Sequence, residues 1–193
     1  MIEIKGVNKS TSALAKSILE FAGEIPTSTE LKSSKPKEAA RHRTNFASAK
    51  AALVAGSLAL PVGTLGWLTI APEMMAIWKI QTQLVVDIAA LYGKSASLSQ
   101  EHMMYCLFRH SVAQAVRDLV VRVGDRFLVR PVSLKFMQSI SYKVGIHVSK
   151  QVLGKSLSRW LPVIGAVGVG GYAYYDTSQV AATAIAMFEQ EMI

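Results

Sequence analysis

The chain is short of cysteine, of acidic residues and of recognisable catalytic signatures. Its single cysteine, Cys106, excludes an internal disulfide and fits a reducing compartment. Thirteen Asp and Glu stand against 21 Lys and Arg, so the formal net charge is +8. A surplus of that sign favours an anionic partner, phospholipid headgroups or nucleic acid, over a basic one. No serine elbow, HExxH pair, paired-carboxylate arrangement or cysteine signature is present, and the reading is of a non-enzymatic protein with no cofactor. The polar start MIEIKGVNKSTS has no apolar signal core, so export by a cleaved leader is not expected. No alternating β-branched window is long enough to argue for a sheet. Residues 119–121 and 127–129 come nearest, and both also fit helical periodicity.

What the chain does have is apolar bulk, unevenly separated from its charge. At 193 residues it can bury a core without metals or disulfides. Residues 1–50 carry nine basic and five acidic groups, and residues 94–159 carry eleven and three. Between them, positions 51–72 hold no charge at all over 22 residues, and after Trp160 only three acids remain. The uncharged stretch has the length of a membrane span. Pro61, Gly63 and Gly66 interrupt it, however, and basic residues flank both sides. The expectation is therefore a helical hairpin: helix 47–60, a tight turn at LPVGTLGW, then a long helix 67–92 ending at Gly93.

Other elements follow from caps and breakers. Residues 10–22 read as a short amphipathic helix with Leu14, Ile18, Leu19 and Phe21 on its apolar face, followed by a mobile linker or extended arm over 23–37. A third long helix starts at Ser97 or Ser99 and continues to Gly124. Ser133 caps a helix ending near Gly145, another covers 147–160, and the last runs from 163 to 190. The fold class is all-α: a compact multi-helix bundle with a Gly/Pro-turned apolar hairpin and a Gly-rich final helix. The division expected is a polar N-terminal arm, 1–44, and a helical domain, 45–193. The segments Leu60-Pro61-Val62 and Leu161-Pro162-Val163 also echo one another, as a duplication or as shared turn chemistry.

Four residue sets stand out. Lys79, Gln83 and Asp87 are spaced by four along an apolar helix, a buried polar stripe that needs a partner such as Asp176. Ala166, Gly170, Ala173 and Thr177 make a small-residue face, matched by Ala51, Ala52, Ala55, Gly56 and Ala59 for close helix packing. The same Gly-rich segment lacks the GK[ST] ending of a phosphate loop. His102, Cys106 and His110 fall on one helix face and are weak zinc candidates, since three ligands on one helix seldom converge on one ion. Arg117, Arg122, Arg126 and Arg130, with Arg109 upstream, would form a cationic helix face, either solvated or set against phosphate headgroups. Aromatic residues are not interleaved with them, which weakens a nucleic-acid reading.

The motifs LPVGTLGW, QTQLVVDIAALYGK and LPVIGAVGVGGYAYYDTSQVAATA together resemble the EcsC family over most of the chain from about residue 45. That resemblance implies a bacterial accessory role connected to a membrane and implies no catalytic residue. The expected function is a membrane-associated helical protein, peripheral to the cytoplasmic face, that binds anionic lipid or a membrane protein. The alternative is a soluble helical module holding a lipid-like small molecule in its interior.

Overall fold

The computed structural model describes residues 12, 15–21, 23–58, 66–123, 126–155 and 162–190. Helix α1 is the helical run 15–21. It is followed by α2 (Pro36–Leu58), α3 (Gly66–Leu91), α4 (Gln100–Phe108), the short α5 (Ala113–Val116), α6 (Leu134–Lys155) and α7 (Pro162–Glu189). The fold is all-α apart from one two-stranded antiparallel ribbon, β1 (Val120–Val123) and β2 (Arg126–Val129).

Helix α3 is the axis of the molecule. It contacts α2, α4 and α7, and α2 packs in turn along α7. Its residues 84–86 and 88–91 are buried among α1, α4 and the C-terminal half of α7. The helix stops where its sequence turns to Gly93, which has φ 70°. There Gly93 N–H donates to Ala90 O and Lys94 N–H donates to Ala89 O, both at 2.8 Å, a Schellman closure that a side chain at 93 would strain.

Helix α4 is buried on every side from His102 to Phe108. A helix nine residues long holds its place by that packing, since intrinsic helix stability at this length is marginal. Ser99 caps it: its Oγ accepts from His102 N–H, and His102 Nδ1 accepts from Ser99 N–H at 3.1 Å. Trp78 meets Phe108 edge to face, ring centres 5.6 Å apart, and Phe21 tilts against Trp78 from the other side.

The α2–α7 seam is built on smaller residues. Ala51, Ala55 and Ala173 are buried together. A Cβ placed on Gly170 would lie 3.0 Å from Ala52 O, so glycine lets the two backbones approach. Gly56 is half-buried in α2. The side chains of Ala59 and Ala166 lie outside the described residues, as do the hairpin turn 59–65 and the start of the second Leu-Pro-Val segment.

Three expectations are corrected. The helix begun at Ser99 ends at Phe108, and its expected continuation to Gly124 is replaced by α5, a 3-10 turn and β1. The strands pair Val120 with Val129 and Val123 with Arg126. The only residues between them are Gly124 and Asp125, a two-residue connection of hairpin type. Leu119 and Val129 anchor the base of the ribbon in the core, and Arg130 N–H adds a rung to Leu119 O. Second, α6 runs straight through Gly145. Glycine costs a helix about 1 kcal/mol; the buried face of Met137, Ile140, Ser141 and Val144 outweighs it. Third, the boundary at 44/45 falls inside α2. Ile18 and Phe21 of α1 are core residues, and Ser33 N–H bonds to Leu91 O, so the N-terminal segment belongs to the same packed unit.

Candidate functional site

Two polar sets lie on α3, and the structure divides them differently from their sequence spacing. Lys79 is exposed, and Gln83 and Asp87 are half-buried, so the 79–83–87 line is not a buried stripe. It faces the extended segment 24–35. Ser28 Oγ donates to Asp87 Oδ1 at 2.6 Å, and Gln83 Nε2 donates to the same oxygen at 2.9 Å and to Thr27 O at 3.1 Å. Arg43 pairs with Glu30 of that segment. The line therefore serves as the seat for an N-terminal strap.

Polar groups buried on α3 include Gln81, two residues off that line and 1 % exposed, and its neighbour Thr82. Gln81 Nε2 donates to Asp176 Oδ2 at 2.6 Å and to Thr177 Oγ1 at 3.3 Å. The other carboxylate oxygen of Asp176 accepts from His110 Nε2 at 2.6 Å. Asp176 thus joins α3, α7 and the end of α4, rather than partnering Lys79, Gln83 and Asp87. His110 Nδ1 is buried and has no hydrogen-bond partner among the described residues. One ring nitrogen is buried and the other is held by Asp176, so the geometry suits a pin between elements rather than proton transfer to an external substrate. Sequence spacing could not pair residues 66 and 95 positions apart; only the packing brings them together.

The zinc candidates do not converge. His102 is engaged in the α4 cap, His110 in the Asp176 pair, and Cys106 is fully buried with its Sγ 3.8 Å from Met187 Sδ. Burial pushes the Cys106 thiol far above its ordinary range. Among the described residues, no group of three or more His, Cys, Asp and Glu is arranged to hold a metal.

The arginines do not share a helix face either. Arg117 sits in the 3-10 turn, Arg122 on β1, Arg126 on β2 and Arg130 after it. The register sets Arg122 opposite Phe127 and Arg126 opposite Val123, positions of opposite parity on the ribbon. Arg117 is exposed beside Asp118, and Arg130 Nε donates to Asp118 O. Arg109, upstream, lies 5.4 Å from the Tyr105 ring centre.

No family profile, curated sequence or solved structure matches this chain. The likeness to the EcsC family rests on the sequence motifs alone.

Two surfaces remain that the sequence did not single out. One is a set of exposed apolar and aromatic side chains: Phe46 and Leu53 on α2, and Tyr172, Tyr174 and Tyr175 around α7, with Leu53 75 % and Tyr175 60 % exposed. The other is an open groove of about 430 Å3 between α2 and α7, with Lys37, Arg41 and Glu189 at its rim. One described helical stretch, Met74–Leu91, has the length and composition of a membrane span, but 56 % of it is buried inside the fold, as befits a core helix.

Proposed function

We propose that this is a membrane-peripheral helical protein that docks on an anionic bilayer through the end of the α2–α3 hairpin and the adjoining half of α7. The observation that carries this reading is the exposure of Leu53 and of three tyrosines at the same end of the α2–α7 pair. Gly170 touches Ala52, so Tyr172, Tyr174 and Tyr175 lie near the level of Leu53. Ala52 is six residues from the end of α2 at Leu58, about 9 Å at 1.5 Å per residue. Leu53 is therefore between one and two turns from the connection 59–65, whose sequence is uncharged, and Phe46 and the tyrosines lie further along the helix pair. Tyrosine is well suited to a bilayer interface, with its ring in the apolar boundary and its hydroxyl in water. Exposed Lys50, between Phe46 and Leu53, supplies charge for headgroups.

This reading moves the contact away from the arginines, which form no common face, to the hairpin end. The EcsC resemblance, with its implied membrane-connected accessory role, points the same way. Vesicle co-sedimentation tests it. Recovery should be high with vesicles containing phosphatidylglycerol and low with phosphatidylcholine alone. Replacing Tyr172, Tyr174 and Tyr175 with serine should abolish most of that recovery while circular dichroism stays unchanged. Equal recovery on both lipids, or none on either, overturns the proposal.

The reading of a soluble module that binds a lipid-like molecule finds its support in the α2–α7 groove, an open surface feature rather than an interior cavity.

A further inference from the structure

The groove between α2 and α7 lies toward the opposite end of the helix pair from the tyrosine patch. Its floor is made by Ala181, Ala182, Ile185 and Ala186 of α7, where small residues leave a concavity. Its volume of about 430 Å3 falls in the range of small-molecule sites, about 300–1,000 Å3. Its rim carries three charged groups, and they are not equivalent. Glu189 is already satisfied. Lys37 Nζ lies 3.1 Å from both of its oxygens, and Tyr92 O–H donates to it at 3.3 Å. Burial and the neighbouring Glu189 carboxylate raise the Tyr92 phenol to about 12, so it remains a donor across the physiological range. Arg41 has no such partner: among the described residues, no carboxylate lies within ion-pair distance of its guanidinium. Among the described residues the rim therefore presents one ion pair, Lys37 with Glu189, and one cation, Arg41, with no carboxylate in ion-pair contact, beside the alanines and Ile185 of α7.

We propose that this groove binds a single-chain amphiphile with an anionic head, the head on Arg41 and the chain along Ala181, Ala182 and Ile185. Arginine is suited to that head, because its planar fork meets the oxygens of a phosphate or carboxylate two at a time. The α7 floor supplies the apolar contact that a free anion cannot use. The site shares no residue with the tyrosine patch, so it stands or falls independently of the membrane reading.

Calorimetric titration with dodecyl phosphate, below its micelle-forming concentration, tests it on the full chain. Dodecyl phosphate should bind. Inorganic phosphate and dodecyl maltoside should each bind at least about tenfold more weakly, since each lacks one half of the interaction. Arg41→Gln should weaken dodecyl phosphate about tenfold. Ala182→Leu should abolish binding by filling the groove. Both positions are exposed, so both variants should keep the native circular dichroism spectrum. Glu189→Gln should tighten binding by releasing Lys37. The variant with serine at positions 172, 174 and 175 should bind dodecyl phosphate as the native protein does, even where it no longer sediments with vesicles. Equal affinity for dodecyl maltoside, equal affinity for inorganic phosphate, unchanged affinity in Arg41→Gln, or no binding of dodecyl phosphate overturns the proposal.

Discussion

Two polar lines run along α3, and they have opposite roles. The line at Lys79, Gln83 and Asp87 lies at the surface and holds the strap 24–35 by short-range bonds to Thr27 and Ser28. Gln81, on a different face, sits in the core and bonds Asp176 and Thr177 of α7, and Asp176 in turn holds His110 just after α4. The comparison teaches that spacing along a helix identifies residues sharing a face. It does not identify which face is buried. A stripe of three polar residues is the more conspicuous feature, yet Gln81, outside it, is withdrawn from water.

The largest expected effect that tests this contrast is at Asp176. Asp176→Ala removes the acceptor of both Gln81 and His110 and leaves their donors buried. It should cost about 3 kcal/mol in urea-induced unfolding. A cost no larger than that of an exposed substitution would place the network outside the stabilising core. Asp87→Ala should cost less, about 1–1.5 kcal/mol, because the strap groups it releases can turn to water. That variant should also gain a protease-sensitive segment within 24–35, seen by mass spectrometry of limited digests; a strap that stays protected breaks the assigned role.

Glu101 provides a carboxylate away from α3 whose titration has a clear sign. Burial acts to raise its pKa, but the bonds from Ser99 Oγ and Val132 N–H outweigh it and hold the carboxyl below the usual 4.5. Its contribution is therefore complete above about pH 4.5 and is lost as pH falls through the lower folded value. The stability gap between the native protein and Glu101→Gln should be about 1 kcal/mol at pH 7 and should shrink on acidification below pH 4.5. A gap that widens on acidification contradicts the assignment. The smallest effect belongs to Lys79→Ala, on the exposed end of the strap line, which should stay within about 0.5 kcal/mol. A larger loss would mean that the line is buried after all.

Much of the fold was legible in the residues. The limits of α3 and α7, the Gly93 stop and the caps at Ser99 and Ser133 all follow from local rules that act over three or four positions. The ribbon was missed although its signal is present. Val120, Val121 and Val123 favour a strand, and the dipeptide Gly124-Asp125 that follows has turn composition. Arginines at 122, 126 and 130 imitated a helical period over the same residues, and the anchoring of Leu119 and Val129 in the core decided between the two. The continuation of α6 through Gly145 was decided likewise, by the buried face of Met137, Ile140 and Val144 that leads into a residue that locally favours a stop.

The sequence by itself determined that the protein is helical, basic and divided into charged and uncharged stretches, because helix periodicity, capping and charge are properties of neighbouring residues. Only the tertiary structure decided which polar residues are buried, which apolar ones are exposed, and which cation at the groove rim is paired with Glu189. Those outcomes depend on contacts between residues far apart in the chain. Asp176 meets Gln81 and His110, and Glu189 meets Lys37, only after the helices have packed.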